Sequence, residues 1–149
     1  MPFRIAVVCT GNICRSPIGH VVLEAALAEA GIHAEVTSFG TGSWHVGDRM
    51  DSRAAQVLTA AGYDATRHRA AHFTSAEVGM HDLVLAMDGG HYADLADLGV
   101  GAELRMFRDF DPVGSGDVRD PYYGRLADFE RVLEICERVA AGVVTQLRE

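Results

Sequence analysis

Short apolar runs alternate with helical stretches along nearly the whole chain, and this alternation limits the fold more than any other feature. Residues 4–8, Arg-Ile-Ala-Val-Val, form a β-rich run that ends at Cys9. Residues 16–30 read as a helix, with Pro17 suited to its first turn and Gly31 to its stop. A second strand is predicted over 34–39, followed by a loop containing Gly40, Gly42 and Gly47, and a helix over 51–61 closed by Gly62. Residues 82–87 read as a third strand, 92–98 as a short helix and 103–106 as a fourth strand. The Asp-, Gly- and Pro-rich stretch 109–124 reads as a loop. Beyond it, Phe129, Val132, Leu133, Cys136, Val139, Val143 and Leu147 fall at helical spacing, with one face for a core. Such an order predicts an α/β fold: a single domain over residues 1–149, with a four-stranded parallel sheet and helices on both faces. Ligands in such sheets bind beyond the carboxyl ends of the strands, which is where Cys9 falls.

With 149 residues the chain is long enough for one core and too short for two. No apolar run approaches a membrane span, and the first residues lack the pattern of a secretory signal. A cytoplasmic location is the expectation, with signal-independent export left open. The net charge of −8 argues against nucleic acid and against anionic membranes as partners. An anionic substrate then requires a local positive site. The three cysteines, Cys9, Cys14 and Cys136, are odd in number and suggest neither a disulfide framework nor a zinc site. No metal and no cofactor is expected, and reactive thiol chemistry remains.

The segment Cys9-Thr10-Gly11-Asn12-Ile13-Cys14-Arg15-Ser16-Pro17 places a cysteine and an arginine with five residues between them, between a strand and a helix. A loop of that length can curl so that its backbone N–H groups face inward. Gly11 tolerates unusual backbone angles and Asn12 can enter the left-handed region. The helix start adds further donors and the positive end of a dipole. Arg15 supplies a planar fork for two phosphate oxygens. Together they make a cradle for a tetrahedral dianion, with the backbone of Thr10, Gly11, Asn12, Ile13 and Cys14 lining it. The same groups, with a hydrogen bond from Ser16, favour the thiolate of Cys9, the form that attacks.

Cys9 to Pro17 resembles the active-site signature of the low-molecular-weight protein tyrosine phosphatases, and its place near the N-terminus matches as well. The resemblance continues at Trp44-His45-Val46-Gly47, Met87-Asp88 and Asp120-Pro121-Tyr122-Tyr123-Gly124, and so covers nearly the whole chain. It implies hydrolysis of phosphotyrosine through a phospho-cysteine on Cys9, with Arg15 binding the phosphoryl oxygens and Asp120 as general acid. Chemistry alone does not choose between Asp111-Pro112 and Asp120-Pro121. The rings of Tyr122 and Tyr123 favour Asp120, because they can line a slot for a phosphotyrosyl ring; Asp111 reads as a turn residue. The resemblance further implies a network of Asn12, Ser38 and His68 that holds the loop in shape. Asp88 matches a family aspartate near the floor of the site, and a helix cap before Gly89 is an equal reading. Trp44 is read as a wall of the slot. Cys14 is read either as a redox partner of Cys9 or as an inert packing residue, and Cys136 as structural. Ile13, where relatives acting on phosphoarginine carry threonine, favours an aromatic phosphoester.

Two departures stand out. After Pro17 the family pattern of a small residue and a glutamate gives way to Ile18-Gly19-His20, which puts partner or dimer contacts in doubt. His72 stands where many relatives have glutamine and reads as a surface histidine. A tyrosine-phosphorylated protein is the expected substrate, phosphate and vanadate the expected inhibitors, and a monomer or weak dimer the expected state. An arsenate reductase on the same fold needs a relay of cysteines near mid-chain, and none lies between Cys14 and Cys136. A pure phosphotyrosine-binding module would have no use for the acid.

Overall fold

The computed structural model describes residues 2–148. Four parallel strands, β1 (Phe3–Cys9), β2 (Ala34–Gly40), β3 (Leu83–Ala86) and β4 (Leu104–Met106), form one sheet in the order β2-β1-β3-β4. Helices α1 (Arg15–Glu29), α2 (Ser52–Ala60), α3 (Gly89–Leu98) and α4 (Leu126–Arg148) complete the alternation. β1 is fully buried from Ile5 onward, and its alternate side chains feed two cores. Ile5 and Val7 face the larger one, which includes Ile18, Leu23 and Leu27 of α1, Leu58 of α2 and Phe129, Val132 and Val139 of α4. Ala6 and Val8 face a smaller one with Phe73 and Leu95 of α3. Helices therefore cover both faces, three on one and one on the other, as the alternation predicts. Each fully buried aliphatic or aromatic side chain contributes about 1.5–3 kcal/mol.

The expected elements are present, with shifts at their ends. α3 begins three residues earlier than the apolar spacing suggested, because Asp88 caps it, accepting from the N–H groups of Gly90 and His91. Two 3-10 turns, Ser75–Glu77 and Phe107–Phe110, carry no sequence signal, and the second takes in the start of the predicted 109–124 loop. Ile18 and Gly19 are buried against the sheet rather than offered to partners. A Cβ on Gly19 would lie 3.2 Å from Val7 and 3.3 Å from Phe107, so glycine lets α1 approach β1 closely. Among the described residues, no helix is long and apolar enough to cross a membrane.

The chain crosses from β1 to β2 on one side of the sheet and returns to β3 on the other. The loops beyond β1 therefore part in opposite directions, and a cleft opens at Cys9. Cys9 pairs with Gly40 in the register of β1 and β2. The next residues rest directly on that glycine: a Cβ there would lie 2.6 Å from the Thr10 carbonyl oxygen.

Candidate active site

Outside the sheet ladder, the backbone of the segment from Cys9 to Cys14 bonds to the rest of the protein through its carbonyls. Those of Cys9 and Thr10 accept from the N–H groups of Thr41 (2.8 Å) and Gly42 (3.0 Å), and that of Ile13 accepts from Asp51 (2.8 Å). The Asn12 carbonyl accepts from His68 Nε2 at 2.7 Å. By contrast, the N–H groups of Gly11, Asn12, Ile13 and Cys14 have no acceptor among the described residues. They remain available to an anion seated over the cysteine, beside the start of α1.

Asn12 is the one non-glycine residue with positive φ among those described, at 58°. It is fully buried and tied down on every side. Its Oδ1 accepts from the N–H of Ala71 at 2.9 Å, and its Nδ2 donates to Ser16 Oγ at 2.7 Å. Having received that N–H, the Ser16 hydroxyl has its own proton for Cys9 Sγ at 2.9 Å; the competing Phe39 carbonyl lies farther off at 3.4 Å. The structure thus brings Asn12, Ser16 and His68 together. Ser38 stands apart from Asn12 and bonds instead to His20 Nδ1 at 3.0 Å. His20, on the departing stretch of α1, is therefore a half-buried member of the support. Burial pushes the His20 and His68 imidazoles below their ordinary value.

Arg15 is 3% exposed and is held from behind. Its Nη1 donates to Asp88 Oδ2 (2.8 Å) and to the Val118 carbonyl (2.9 Å), and its Nη2 lies 3.4 Å from Thr10 Oγ1. Asp88 places one oxygen on Arg15 and the other on the N–H groups that open α3. Its burial acts against ionisation, but the bonds from Arg15 and from the His91 N–H hold the carboxyl below the usual range. Buried His91 accepts from the Asp88 N–H at Nδ1 (3.2 Å), so its Nε2 carries the hydrogen and donates to Thr10 Oγ1 (2.7 Å). Burial lowers its affinity for a second proton. Thr10 thus receives two donors and keeps its own proton for an oxygen in the cleft.

The cleft encloses about 280 Å³ and is lined by Cys9, Thr10, Gly11, Ile13, Cys14, Arg15, Trp44, His45, Asp120, Tyr122 and Tyr123. Asp120 Oδ2 lies 3.6 Å from Arg15 Nη2, and its Oδ1 accepts from the Tyr122 N–H at 3.1 Å. Trp44 is 75% exposed and Tyr123 95%, so these rings edge the cleft and belong to no core. The Tyr122 and Tyr123 rings meet edge to face at 4.9 Å. Cys14 is pushed up to about 12 by burial and then by the charges of Asp51, Cys9 and Asp120, so it stays a neutral thiol. Cys136 is buried in the core, and burial raises it as well.

Asp111 lies outside the cleft. It takes the Asx turn to Val113, and its buried carboxylate also receives two hydrogen bonds from Arg138 and one from Arg108. It is a turn residue and, beyond the sequence reading, a buried ion-pair centre. His72 is half-buried and lies 3.1 Å from the Thr41 carbonyl, which replaces the expectation of a free surface histidine. His45 lines the cleft beside Trp44, although the sequence marks only the tryptophan as a wall. His91 has no signal in the sequence, because its bond to Thr10 joins segments far apart in the chain. The same holds for Arg53, which reaches the Tyr122 and Gly124 carbonyls from α2.

The model of a family described as low molecular weight phosphotyrosine protein phosphatase matches residues 4–149. A low molecular weight protein-tyrosine-phosphatase of Streptomyces coelicolor is 40% identical, covering 100% of this chain and 96% of the relative. The low molecular weight protein-tyrosine phosphatase A of Mycobacterium tuberculosis is 45% identical over 95% of this chain and 90% of its own length. Among solved structures, a protein tyrosine phosphatase from Entamoeba histolytica superposes with a TM-score of 0.93 at 29% identity, covering 98% of this chain and 97% of that one. The tyrosine phosphatase Wzb of Escherichia coli K30, in complex with sulphate, gives 0.88 at 30% identity, with 99% of each chain covered.

Proposed function

The chain belongs to the low molecular weight phosphotyrosine protein phosphatase family, and we propose on that premise that its one domain, residues 1–149, hydrolyses phosphotyrosine with Cys9 as nucleophile, Arg15 as phosphate binder and Asp120 as general acid and base. The observation that carries these roles is their convergence in one cleft, with Arg15 3.6 Å from Asp120 and the sulfur among unpartnered N–H groups. The Cys9 thiolate attacks phosphorus, a sulfur–phosphorus bond forms, and the bond to the phenolic oxygen breaks. Asp120 delivers its proton to that oxygen as it leaves. The resulting carboxylate then takes a proton from water, whose oxygen attacks phosphorus; phosphate departs and the thiolate returns. The N–H groups of the loop and Arg15 hold the equatorial oxygens throughout.

Thr10, Gly11, Asn12, Ile13 and Cys14 surround the phosphate, while Trp44, Tyr122 and Tyr123 flank the aromatic ring. Ser16, His68 and Asp88 keep the cradle and Arg15 in place, and Ser38 acts through His20. The substrate is a tyrosine-phosphorylated protein, acted on in the cytoplasm by a monomer or weak dimer. The sulphate held by the Wzb phosphatase is a tetrahedral anion of the kind this cradle suits, and phosphate and vanadate inhibit by occupying it.

Phosphate release from an aryl phosphate tests the assignment. Cys9→Ser releases none, and Asp120→Ala is slowed by roughly 10²–10⁴-fold. Release by Cys9→Ser at the native rate refutes the covalent route. Indifference to phosphate and vanadate refutes the cradle.

A further inference from the structure

The segment carrying Asp120 is irregular, and its exposed residues Tyr122, Tyr123 and Gly124 project toward solvent. An acid must stay within hydrogen-bond reach of the oxygen it protonates. Upstream, the segment is anchored at buried Val118, whose N–H donates to the Met87 carbonyl at 2.7 Å and whose own carbonyl takes Arg15. Downstream, it is held by one side chain from a different element. Arg53, on α2, donates from Nη2 to the Tyr122 carbonyl (2.9 Å) and from Nη1 to the Gly124 carbonyl (3.2 Å).

The guanidinium is itself fixed. Asp51 takes its Nε at 3.0 Å and its Nη2 at 2.9 Å, a two-point grip on a planar group. The ring of Phe129 lies beneath it, 4.4 Å from the guanidinium carbon, with the Tyr122 ring at 5.8 Å. Asp51 in turn donates its backbone N–H to the Ile13 carbonyl of the cradle. A continuous series of short contacts therefore runs from the outside of the cradle, through Asp51 and Arg53, to the backbone on the far side of Asp120.

We infer that Arg53 is a positioning residue for the general acid, latching the Asp120 segment to α2 and so setting the distance between acid and nucleophile. The inference rests on Asp120 being the acid. Arg53 touches the acid segment through backbone carbonyls, so its loss displaces the acid without removing it.

The test measures kcat/KM for two aryl phosphates of similar size, phenyl phosphate and p-nitrophenyl phosphate, whose leaving groups differ in basicity. Arg53→Met and Arg53→Lys are compared in the native and the Asp120→Ala backgrounds. Arg53→Met is expected to lower the phenyl phosphate value by roughly 10–100-fold, the scale of a small misplacement. It should leave the nitrophenyl value nearly unchanged and vanadate inhibition intact. In the Asp120→Ala background it should cost nothing further, because two changes to one function are not additive. Lysine, which cannot bridge a carboxylate and two carbonyls, should fall between. Should Arg53→Met fail to fold by circular dichroism, Arg53→Lys carries the same comparison. Equal losses for both leaving groups, an undiminished loss without Asp120, or weakened vanadate inhibition would overturn the inference. If Asp120→Ala alone spares phenyl phosphate, it is the acid assignment that fails.

Discussion

Asn12 concentrates the demands of the cradle in one residue. Its backbone sits at φ 58°, and its side chain and carbonyl bond to Ser16, Ala71 and His68. Glycine would keep the backbone geometry and lose the side-chain bonds; alanine would lose both. Asn12→Ala is therefore expected to be less stable than Asn12→Gly by about 1 kcal/mol in urea unfolding. Both should lose most of their phosphate release, because the proton that Ser16 aims at Cys9 depends on the Asn12 amide. Equal stability of the two variants would remove the backbone argument. At this scale the sequence was informative where chemistry sits in a contiguous string: Cys9 through Ser16 could be read residue by residue. It was uninformative where a partner is chosen by the fold. Ser38 meets His20 instead of Asn12, and Arg15 leans on the Val118 carbonyl, a group that every residue possesses.

Between elements, Asp111 ties the segment after β4 to α4. Its side chain is 0% exposed and receives Arg138 at 2.9 Å through two nitrogens. The Arg138 bonds come first among the causes that hold its carboxyl well below the usual range. Removing Arg138 leaves a buried charge with only Arg108 and a backbone N–H. Arg138→Met should cost roughly 2–4 kcal/mol of unfolding free energy without a matching fall in phosphate release per folded molecule. A neutral outcome in urea would mean that Arg108 suffices. The elements themselves were largely legible, because helical spacing over a 23-residue helix or a run of buried strand residues is a strong periodic signal. The short 3-10 turns were not, since a single turn has no period to detect. The early start of α3 followed from a cap whose other oxygen serves Arg15.

Across the whole molecule, two buried histidines and a half-buried one shape the response to acid. His20, His68 and His91 all lie below the ordinary value through burial, so below about pH 6.5 the unfolded chain takes up protons that the folded chain resists. Their stabilisation is complete above that pH and declines as the pH falls. Asp51, Asp88 and Asp111, all depressed, lose theirs only below about pH 4. Unfolding midpoints in urea should thus drop between pH 7 and pH 5, ahead of any carboxylate effect; a flat profile there would contradict the histidine assignment. The net charge of −8 conceals the site completely, because its positive field comes from one arginine and a few peptide dipoles. Those dipoles are oriented before any substrate arrives. The carbonyls of the cradle are held by Thr41, Gly42, Asp51 and His68, which come from three separate stretches of the chain. Little reorganisation energy is therefore left for the reaction to supply when phosphorus passes from tetrahedral to trigonal bipyramidal, and the same stiffness sets a narrow limit on which oxyanion shapes can enter.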